Sequence, residues 1–285
     1  MKIRKGIGMC LAVLASFICL SGCFCSQTFQ LANEMRFQTD DISEITISYD
    51  EEKITFYESD GHELIIREYM TENKSGYYAK VDTRAGSIQI SEGGKPLLNN
   101  DFSRYVEVYL PSSYHNNLTV TTTDGDIDFS GSNLSLNEFR VNSTAGTVNI
   151  GSLDADTIKI ETTSGNVFCE KLAGSVRYTS TSGNANIKSA IGFGSYEVSN
   201  SGDLNVIYTE VTGDLFFYNK NTDIFITLPS DLEFEFTAAA KNGSISTSFQ
   251  EWLSVDGGES KGIVGEHPVV NVKAETKNGN IEVKR

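Results

Sequence analysis

Basic residues are few in this sequence, and their scarcity limits the partners it can bind. The chain has 23 Lys and Arg against 38 Asp and Glu, a formal net charge of -15. Residues 1–22 carry Lys2, Arg4 and Lys5, so a chain without them has 23 less three, or 20, basic residues and a net charge of about -18. Because nucleic acids and bare anionic lipids attract proteins through Lys and Arg, we expect no nucleic-acid partner and repulsion from a bare anionic surface.

Cysteine and histidine are also scarce, which argues against several kinds of site. Two of the five cysteines lie near the N-terminus, and the others are Cys23, Cys25 and Cys169. Three scattered thiols provide neither a disulfide framework nor the spacing of a metal site. The three histidines have no carboxylate or cysteine at ligand spacing and are predicted to be surface or loop residues: His62, His115 and His267. We expect no metal site and no cofactor.

Proline is rare, helical periodicity is missing beyond the N-terminus, and catalytic motifs are absent. The chain has 4 Pro but 25 Gly, 16 Phe and 12 Tyr, and strand-forming residues interrupted by Gly favour β-structure. No G-x-S-x-G, H-E-x-x-H or phosphate-binding loop occurs. The sequence therefore predicts an all-β protein with no catalytic residues, and we expect that it is not an enzyme.

The N-terminus has the pattern of an export signal. A basic start precedes an apolar run of 14 residues, Ile7 to Leu20, which suits a signal-peptide core better than a membrane span of about 20 residues. The run ends in Leu20-Ser21-Gly22-Cys23, which resembles a bacterial lipobox. Residues 1–22 are thus predicted to be a lipoprotein signal peptide, and the thiol of Cys23 is predicted to receive a diacylglyceryl group.

An uncleaved transmembrane anchor is the alternative, because residues 6–25 carry no charge. Both interpretations leave the basic residues in the cytoplasm and the rest of the chain outside. A diacylglyceryl cysteine supplies the two acyl chains that stable anchoring requires. We expect a lipid-anchored protein on the extracytoplasmic face of the inner or outer membrane, with an ordinary thiol at Cys25. Residues 23–41 are interpreted as the lipidated cysteine and a polar tether.

The remainder of the chain is repetitive. Five segments align on glycines at steps of 21, 19, 18 and 19 residues: Thr121–Phe129, Asn142–Ile150, Glu161–Cys169, Thr179–Ile187 and Val198–Val206. Two and four residues after each glycine the side chain is mostly apolar, and three residues after it is mostly polar. This alternation is that of a half-buried strand. Each glycine is predicted to mark a positive φ angle or a tight turn.

A repeat of about 19 residues cannot bury its own apolar face, so stacked repeats must share one core. Residues 42–285 are therefore predicted to form one elongated parallel β-solenoid, a β-helix-like domain on the order of 40 Å long at about 4.8 Å per strand. The alternative is an antiparallel sandwich or barrel, which also has regular short strands. The common register of every repeat favours the solenoid.

The same residues resemble a known family. A lipoprotein-like leader, the strand Val106–Pro111 (VEVYLP) and repeated T-[TS]-S-G-[ND] units are similar to the putative-adhesin family, domain of unknown function 4097, common on Gram-positive cell surfaces. The resemblance covers residues 42–285. It implies an all-β solenoid and a role at the cell envelope, and it carries no catalytic residue over to this chain.

Four positions in the repeats bear on function. Asp126 and Asp128 could bind calcium, but neighbouring repeats offer no second layer of carboxylates. We therefore expect both side chains to be solvent-exposed carboxylates of a turn, without bound calcium. Cys169 lies four residues after Gly165, in the column of apolar residues that the alternation turns inward, and it is predicted to be a buried, unreactive thiol. Phe168 falls in the outward, polar column and is the candidate surface contact residue.

These observations favour a non-enzymatic surface module that binds, adheres to or senses an envelope component, whose ligand the sequence does not identify. One alternative is a carbohydrate-active β-helix enzyme, which needs carboxylates clustered with Arg or Lys on adjacent repeats. The basic residues of the repeats look isolated in the sequence: Lys159, Arg177 and Lys188. The other alternative is a purely structural spacer with no partner.

Overall fold

The computed structural model describes residues 28–97 and 101–285, and strands dominate them. Within these ranges the only helical element is a short 3-10 turn at Ser75–Tyr77. The all-β prediction is confirmed. The first eight strands are β1 (Gln30–Gln38), β2 (Glu44–Ser48), β3 (Lys53–Ser59), β4 (Glu63–Met70), β5 (Lys80–Arg84), β6 (Ser87–Ser91), β7 (Arg104–Pro111) and β8 (Asn117–Thr122).

The other twelve strands contain the repeats and the C-terminal region. They are β9 (Ile127–Ser143), β10 (Thr147–Thr162), β11 (Asn166–Ser180), β12 (Ala185–Val198), β13 (Leu204–Asn219), β14 (Ile224–Thr227), β15 (Phe234–Ala240), β16 (Ile245–Thr247), β17 (Leu253–Asp256), β18 (Glu259–Val264), β19 (Val270–Thr276) and β20 (Ile281–Lys284). The predicted signal peptide and Cys23 lie outside the described residues, so lipidation stays a prediction.

The five repeats stack on one another in sequence order. Strands β9 to β13 each pair in parallel with the next one. Equivalent positions are partners, as when Phe168 lies opposite Asn149 on one side and Asn186 on the other. Parallel pairing between consecutive strands contradicts an antiparallel sandwich for this part of the chain. One strand spacing therefore separates each repeat from the next.

The N-terminal end combines distant segments. β2 pairs in parallel with β6 and β8, and β3 pairs in parallel with β7 and β9, which continues the stack. β4 then pairs antiparallel with β7, and β1 antiparallel with β4. At the other end, β14 and β19 both extend β13 in parallel. β17 and β18 form an antiparallel pair beside β15.

The strand β1 corrects one sequence prediction. The polar tether predicted to end at residue 41 instead contains Gln30–Gln38 as an edge strand along β4. Met35 and Phe37, two residues apart, pack against the core, while Asn33 donates a hydrogen bond of 2.8 Å to Glu68. The tether prediction is wrong because only this short period-two pattern marks the strand, in a segment that is otherwise mostly polar.

The core is filled by the inward columns of the repeats. The residues two and four positions after each glycine are at most 3% exposed, as their alternation predicts. Cys169 lies among them, and burial raises the pKa of its thiol to about 12. Because the thiolate is the reactive form, this cysteine behaves as a small apolar side chain, as predicted.

The repeat glycines are needed mainly for close packing between repeats. Gly146 has a positive φ of 87°, as expected of a turn glycine. At Gly183, however, a Cβ atom would lie 2.0 Å from the carbonyl oxygen of Gly165 in the preceding repeat. The turns are also closed by hydrogen bonds, since the Gly183 N–H donates to Ser180 Oγ at 2.7 Å and the Gly125 N–H to Thr122 Oγ1 at 2.9 Å.

Candidate functional site

A polar groove crosses five neighbouring repeats where their strands run into the turns. We name it the hydroxyl groove; its volume is about 570 Å³. Most of its side chains are Thr or Ser, and its two carboxylates are those of Glu161 and Glu197. The lining consists of residues 121–123, 142–144, 161–163 and 179–181 with Glu197 and Ser199.

The alternation of the strands builds this groove. In the segment 121–123 the central Thr122 is buried and hydrogen-bonded to the backbone, while Thr121 and Thr123 point outward. The same alternation recurs at each repeat. Because the repeats stack in register, the outward groups form ladders about 4.8 Å apart. Along one ladder Glu161 and Glu197 lie on either side of Thr179.

A column of basic side chains runs beside the groove. Arg140, Lys159 and Arg177 occupy equivalent positions of three successive repeats; we name them the basic column. The structure thereby corrects the impression that Lys159 and Arg177 are isolated, because they are neighbours across adjacent strands. Lys188, in contrast, lies elsewhere and pairs with Glu170 at 2.6 Å.

One carboxylate neutralises part of the basic column. Glu138 accepts from Lys159 Nζ at 2.9 Å and from Arg140 at 2.7 Å, and these hydrogen bonds hold the pKa of Glu138 below its usual value. An ionised, paired carboxylate is not available as a general acid. Arg177 is exposed and forms no salt bridge within the part of the chain that the structure describes. It is therefore free to contact a ligand in the adjacent groove.

The predicted contact residue Phe168 lies apart from this site. Its side chain is 44% exposed, as its outward column predicts, and it has Asn149 and Asn186 beside it in the sheet. It does not line the hydroxyl groove. A single exposed aromatic ring is common on protein surfaces, so the groove is the stronger candidate.

The aspartates considered for calcium have partners of their own. Asp126 accepts the Thr147 N–H at 2.7 Å, and Asp128 accepts from Ser130 and lies 3.4 Å from Lys53 Nζ. Among the described residues there is no group of three or more His, Cys, Asp or Glu side chains that could hold a metal. The histidines are exposed, as predicted: His62, His115 and His267.

A buried group of charges at the N-terminal end was not anticipated from the sequence. Arg104 donates to Glu52 at 2.9 Å, to the Tyr77 carbonyl at 2.6 Å and to Glu92, and it lies 3.8 Å from Glu68. Lys95 pairs with Glu92 at 2.8 Å. We name these five charged side chains the buried ion cluster: Glu52, Glu68, Glu92, Lys95 and Arg104.

The carboxyl groups of this cluster are shifted in opposite directions. Burial raises the pKa of Glu92. Burial also acts upward on Glu52, but Arg104 and Lys95 outweigh it and lower the pKa of that carboxyl. Glu68 Oε2 is fixed by Asn33 and by the Ala79 N–H at 2.8 Å. The adjoining cavity is about 170 Å³, and the filled hydrogen bonds point to a structural role.

Comparisons with solved structures give the same fold. A "putative adhesin" from Bacteroides fragilis is 12% identical, with 88% of this chain and 96% of that chain covered and a TM-score of 0.51. A "putative lipid binding protein" from Parabacteroides distasonis is 12% identical, with 88% and 96% covered and a TM-score of 0.46. A "putative adhesin" from Parabacteroides merdae is 13% identical, with 88% and 95% covered and a TM-score of 0.37. At such identities the likeness shows the fold alone, and the Bacteroides fragilis protein carries it.

The family follows from the sequence match. No curated protein matches this chain, and none of the described segments forms a helix of the length and apolarity that crossing a bilayer takes. The profile of the Toastrack DUF4097 family matches residues 42–284, which is most of the chain and the part that contains the repeats and the hydroxyl groove. The protein belongs to the Toastrack DUF4097 family.

Proposed function

We propose that this protein is a lipid-anchored, non-enzymatic module that binds a polar ligand of the cell envelope or cell surface. Its anchor is the diacylglyceryl group on Cys23, and its repeats form a parallel β-solenoid that stands outside the membrane. The parallel, in-register pairing of β9 to β13 supports the solenoid. The adhesin name of the similar Bacteroides fragilis structure supports the surface location.

The observation that carries the proposal is the hydroxyl groove. It combines regularly spaced Thr and Ser hydroxyls with two carboxylates and borders the basic column. Such a lining can donate and accept many hydrogen bonds at fixed spacing. It therefore fits a hydroxyl-rich or amide-rich chain that lies across several repeats, as an envelope polysaccharide would. No histidine lines the groove to activate a Ser or Thr hydroxyl. Its two carboxylates, beside Lys159 and Arg177, keep a carbohydrate-active enzyme as the second candidate.

The groove is tested with three variants of the full-length protein, each made, like the reference protein, with Cys23→Ser so that no acyl chain binds the membrane. In the groove variant Glu161→Ala is combined with Glu197→Ala, and Arg177→Ala is added in a second form. The matched control is Glu170→Ala with Lys188→Ala, an exposed pair outside the groove. Each protein is sedimented with purified envelope fractions, and its thermal midpoint is measured in parallel.

We expect the groove variants to lose at least about tenfold in affinity, which corresponds to about 1.4 kcal/mol. The control should bind like the wild type, and all the thermal midpoints should agree. Equal binding by the groove variants and the control would refute the groove as the binding site. Turnover of any envelope polysaccharide would refute the non-enzymatic assignment.

Anchoring is tested separately by the intact mass of the exported protein. The wild type should carry a diacylglyceryl group, and Cys23→Ser should lack it and appear in the soluble fraction. A wild-type mass without acyl chains would contradict lipidation and favour the uncleaved anchor.

A further inference from the structure

The N-terminal end carries an aromatic surface that the hydroxyl groove does not use. Its members lie on the outer side of β4, β7 and β3, at β1 and just before it. We name this surface the aromatic edge: Phe29, Leu31, Tyr57, Tyr69, Tyr105 and Tyr109. Phe29 and Tyr57 are each 39% exposed and Leu31 is 47% exposed. The four tyrosines are brought together by strand pairings between distant segments.

The rings of the aromatic edge pack against one another. Tyr69 and Tyr105 stack with centroids 4.7 Å apart and planes 8° apart. Tyr57 and Tyr109 stack at 5.1 Å and 24°, and Phe29 meets Tyr105 edge-on at 5.0 Å. Because ring faces cover one another, the surface presents apolar ring edges together with hydroxyl groups.

This edge lies close to the predicted anchor. Phe29 is six residues after Cys23, and a fully extended chain spans at most about 3.6 Å per residue, so at most about 22 Å separate them. An acyl chain at Cys23 therefore keeps this end of the domain near the membrane surface. Tyrosine combines an apolar ring with a polar hydroxyl group, which is typical of residues at the level of lipid headgroups.

Most charges around the edge are paired, but Glu107, between Tyr105 and Tyr109, accepts from Tyr109 Oη at 2.9 Å and forms no salt bridge among the described residues. Arg67 pairs with Glu34 at 2.8 Å and lies over the Tyr109 ring at 4.9 Å. Arg36 pairs with Glu34 at 2.8 Å and with Glu63 at 3.2 Å. These pairs leave the single charge of Glu107 at the edge, so repulsion from an anionic surface is smaller here than the net charge of the chain suggests.

We propose that the aromatic edge docks on the lipid bilayer beside the anchor and sets the orientation of the domain on the membrane. The inference rests on the proposed lipidation of Cys23. A sugar ring would need a free aromatic face to stack on. In this edge Tyr109 lies between Tyr57 and Arg67, and Tyr69 and Tyr105 each cover one face of the other, so three of the tyrosines keep at most one open face. A lipid interface needs only exposed ring edges and hydroxyls.

A tryptophan placed in the edge reports contact with lipid. The chain has a single Trp, Trp252, which is 47% exposed. Trp252 follows the strand β16. Eight successive strand pairings separate β16 from β3, so the distance between Trp252 and position 57 is on the order of 40 Å. The reporter is Tyr57→Trp combined with Trp252→Phe, and Leu31→Trp in the same background is a second reporter. The unaltered protein, with Trp252 alone, is the matched control.

The full-length lipidated proteins are reconstituted in phosphatidylcholine vesicles with and without brominated acyl chains. Interfacial residues lie within about 5–10 Å of the acyl boundary, so we expect about twofold or stronger quenching at positions 57 and 31 and none at Trp252. Flotation with the vesicles but equal, weak quenching at all three positions would overturn the docking and leave the anchor intact. Failure of the wild type to float would refute the anchor together with the docking. If soluble glycan fragments changed the fluorescence of the reporter at position 57 while brominated lipid did not quench it, the edge would be assigned to a glycan and the proposal would be overturned.

Discussion

Replacement of Arg104 by Met removes the positive centre of the buried ion cluster. The Arg104 side chain is fully buried, and its partners Glu52 and Glu68 are 5% and 0% exposed at their side chains. Methionine has a similar volume but cannot pair with a carboxylate. The variant therefore leaves carboxylates buried without their main counter-charge, with only Lys95 at the margin.

The cost can be estimated from this geometry. Removal of one partner from a buried ion pair destabilises a protein by about 3–5 kcal/mol, because the remaining charge stays desolvated. Each kcal/mol lowers the Tm of a domain of 150–250 residues by about 2–4 °C. We therefore expect Arg104→Met to lower the Tm by roughly 6–20 °C. Arg104→Lys should lose less stability, since lysine keeps the positive charge but not the planar guanidinium that binds two carboxylates at once.

The assays are thermal unfolding for the Tm and urea unfolding for the free energy, both followed by circular dichroism, with Arg84→Met as the control. Arg84 pairs with Asp82 at 2.8 Å, but its side chain is 79% exposed, and exposed pairs contribute little. The control should therefore unfold like the wild type. If Arg104→Met stayed within about 1 kcal/mol of the wild type, the cluster would not hold the N-terminal end together, and the reasoning would be wrong.

Three further predictions concern the cluster, the turns and the core. Burial raises the pKa of Glu92, so the folded state holds that proton more tightly; this contribution is complete below the unfolded value of about 4.5 and is lost as pH rises through the raised pKa. Glu92→Gln should therefore gain stability relative to the wild type between pH 4 and pH 7 in urea titrations, and a constant difference would contradict the raised pKa. Gly183→Ala, whose Cβ would lie 2.0 Å from the Gly165 carbonyl oxygen, should cost about 2 kcal/mol or more, whereas Gly131→Ala, with open space around it, should be neutral; equal unfolding curves for the two would refute the packing argument. Cys169, whose thiol pKa burial raises to about 12, should react with a disulfide reagent only after unfolding; rapid native labelling of the peptide that contains Cys169, measured by mass spectrometry apart from Cys25, would show that this position is accessible.

The repeats made much of the fold predictable. Equivalent residues of neighbouring repeats, such as Val148 and Val167, are partners in the sheet because the alternation and the step length fix the register. The same alternation placed Cys169 inward and Phe168 outward. The basic column could have been found in the same way, by extending the aligned columns back to Lys159 and Arg177.

Features built from distant segments were not predictable by this route. Arg104 and Glu52 are 52 residues apart and meet only because β3 pairs with β7 and β4 with β7. A weak signal existed, since the period-two pattern of β4 places Glu68 on the buried side with Leu64 and Ile66. An isolated charge in an apolar column indicates a buried partner but does not identify it. The tether prediction failed likewise, because β1 is ordered by its contacts with β4 and the core.

Saturable binding to an isolated envelope fraction tests the central claim most directly. The full-length protein with Cys23→Ser, which lacks the acyl chains that would bind any membrane, is titrated against membrane, peptidoglycan and surface-polysaccharide fractions, with calcium and with a chelator. The account predicts saturation on one fraction, unchanged by the chelator because Asp126 and Asp128 have protein partners, and abolished by the groove substitutions at Glu161 and Glu197. Binding that is absent from every fraction, or that rises linearly without saturation, would contradict a recognition module and leave a structural spacer as the role of this protein.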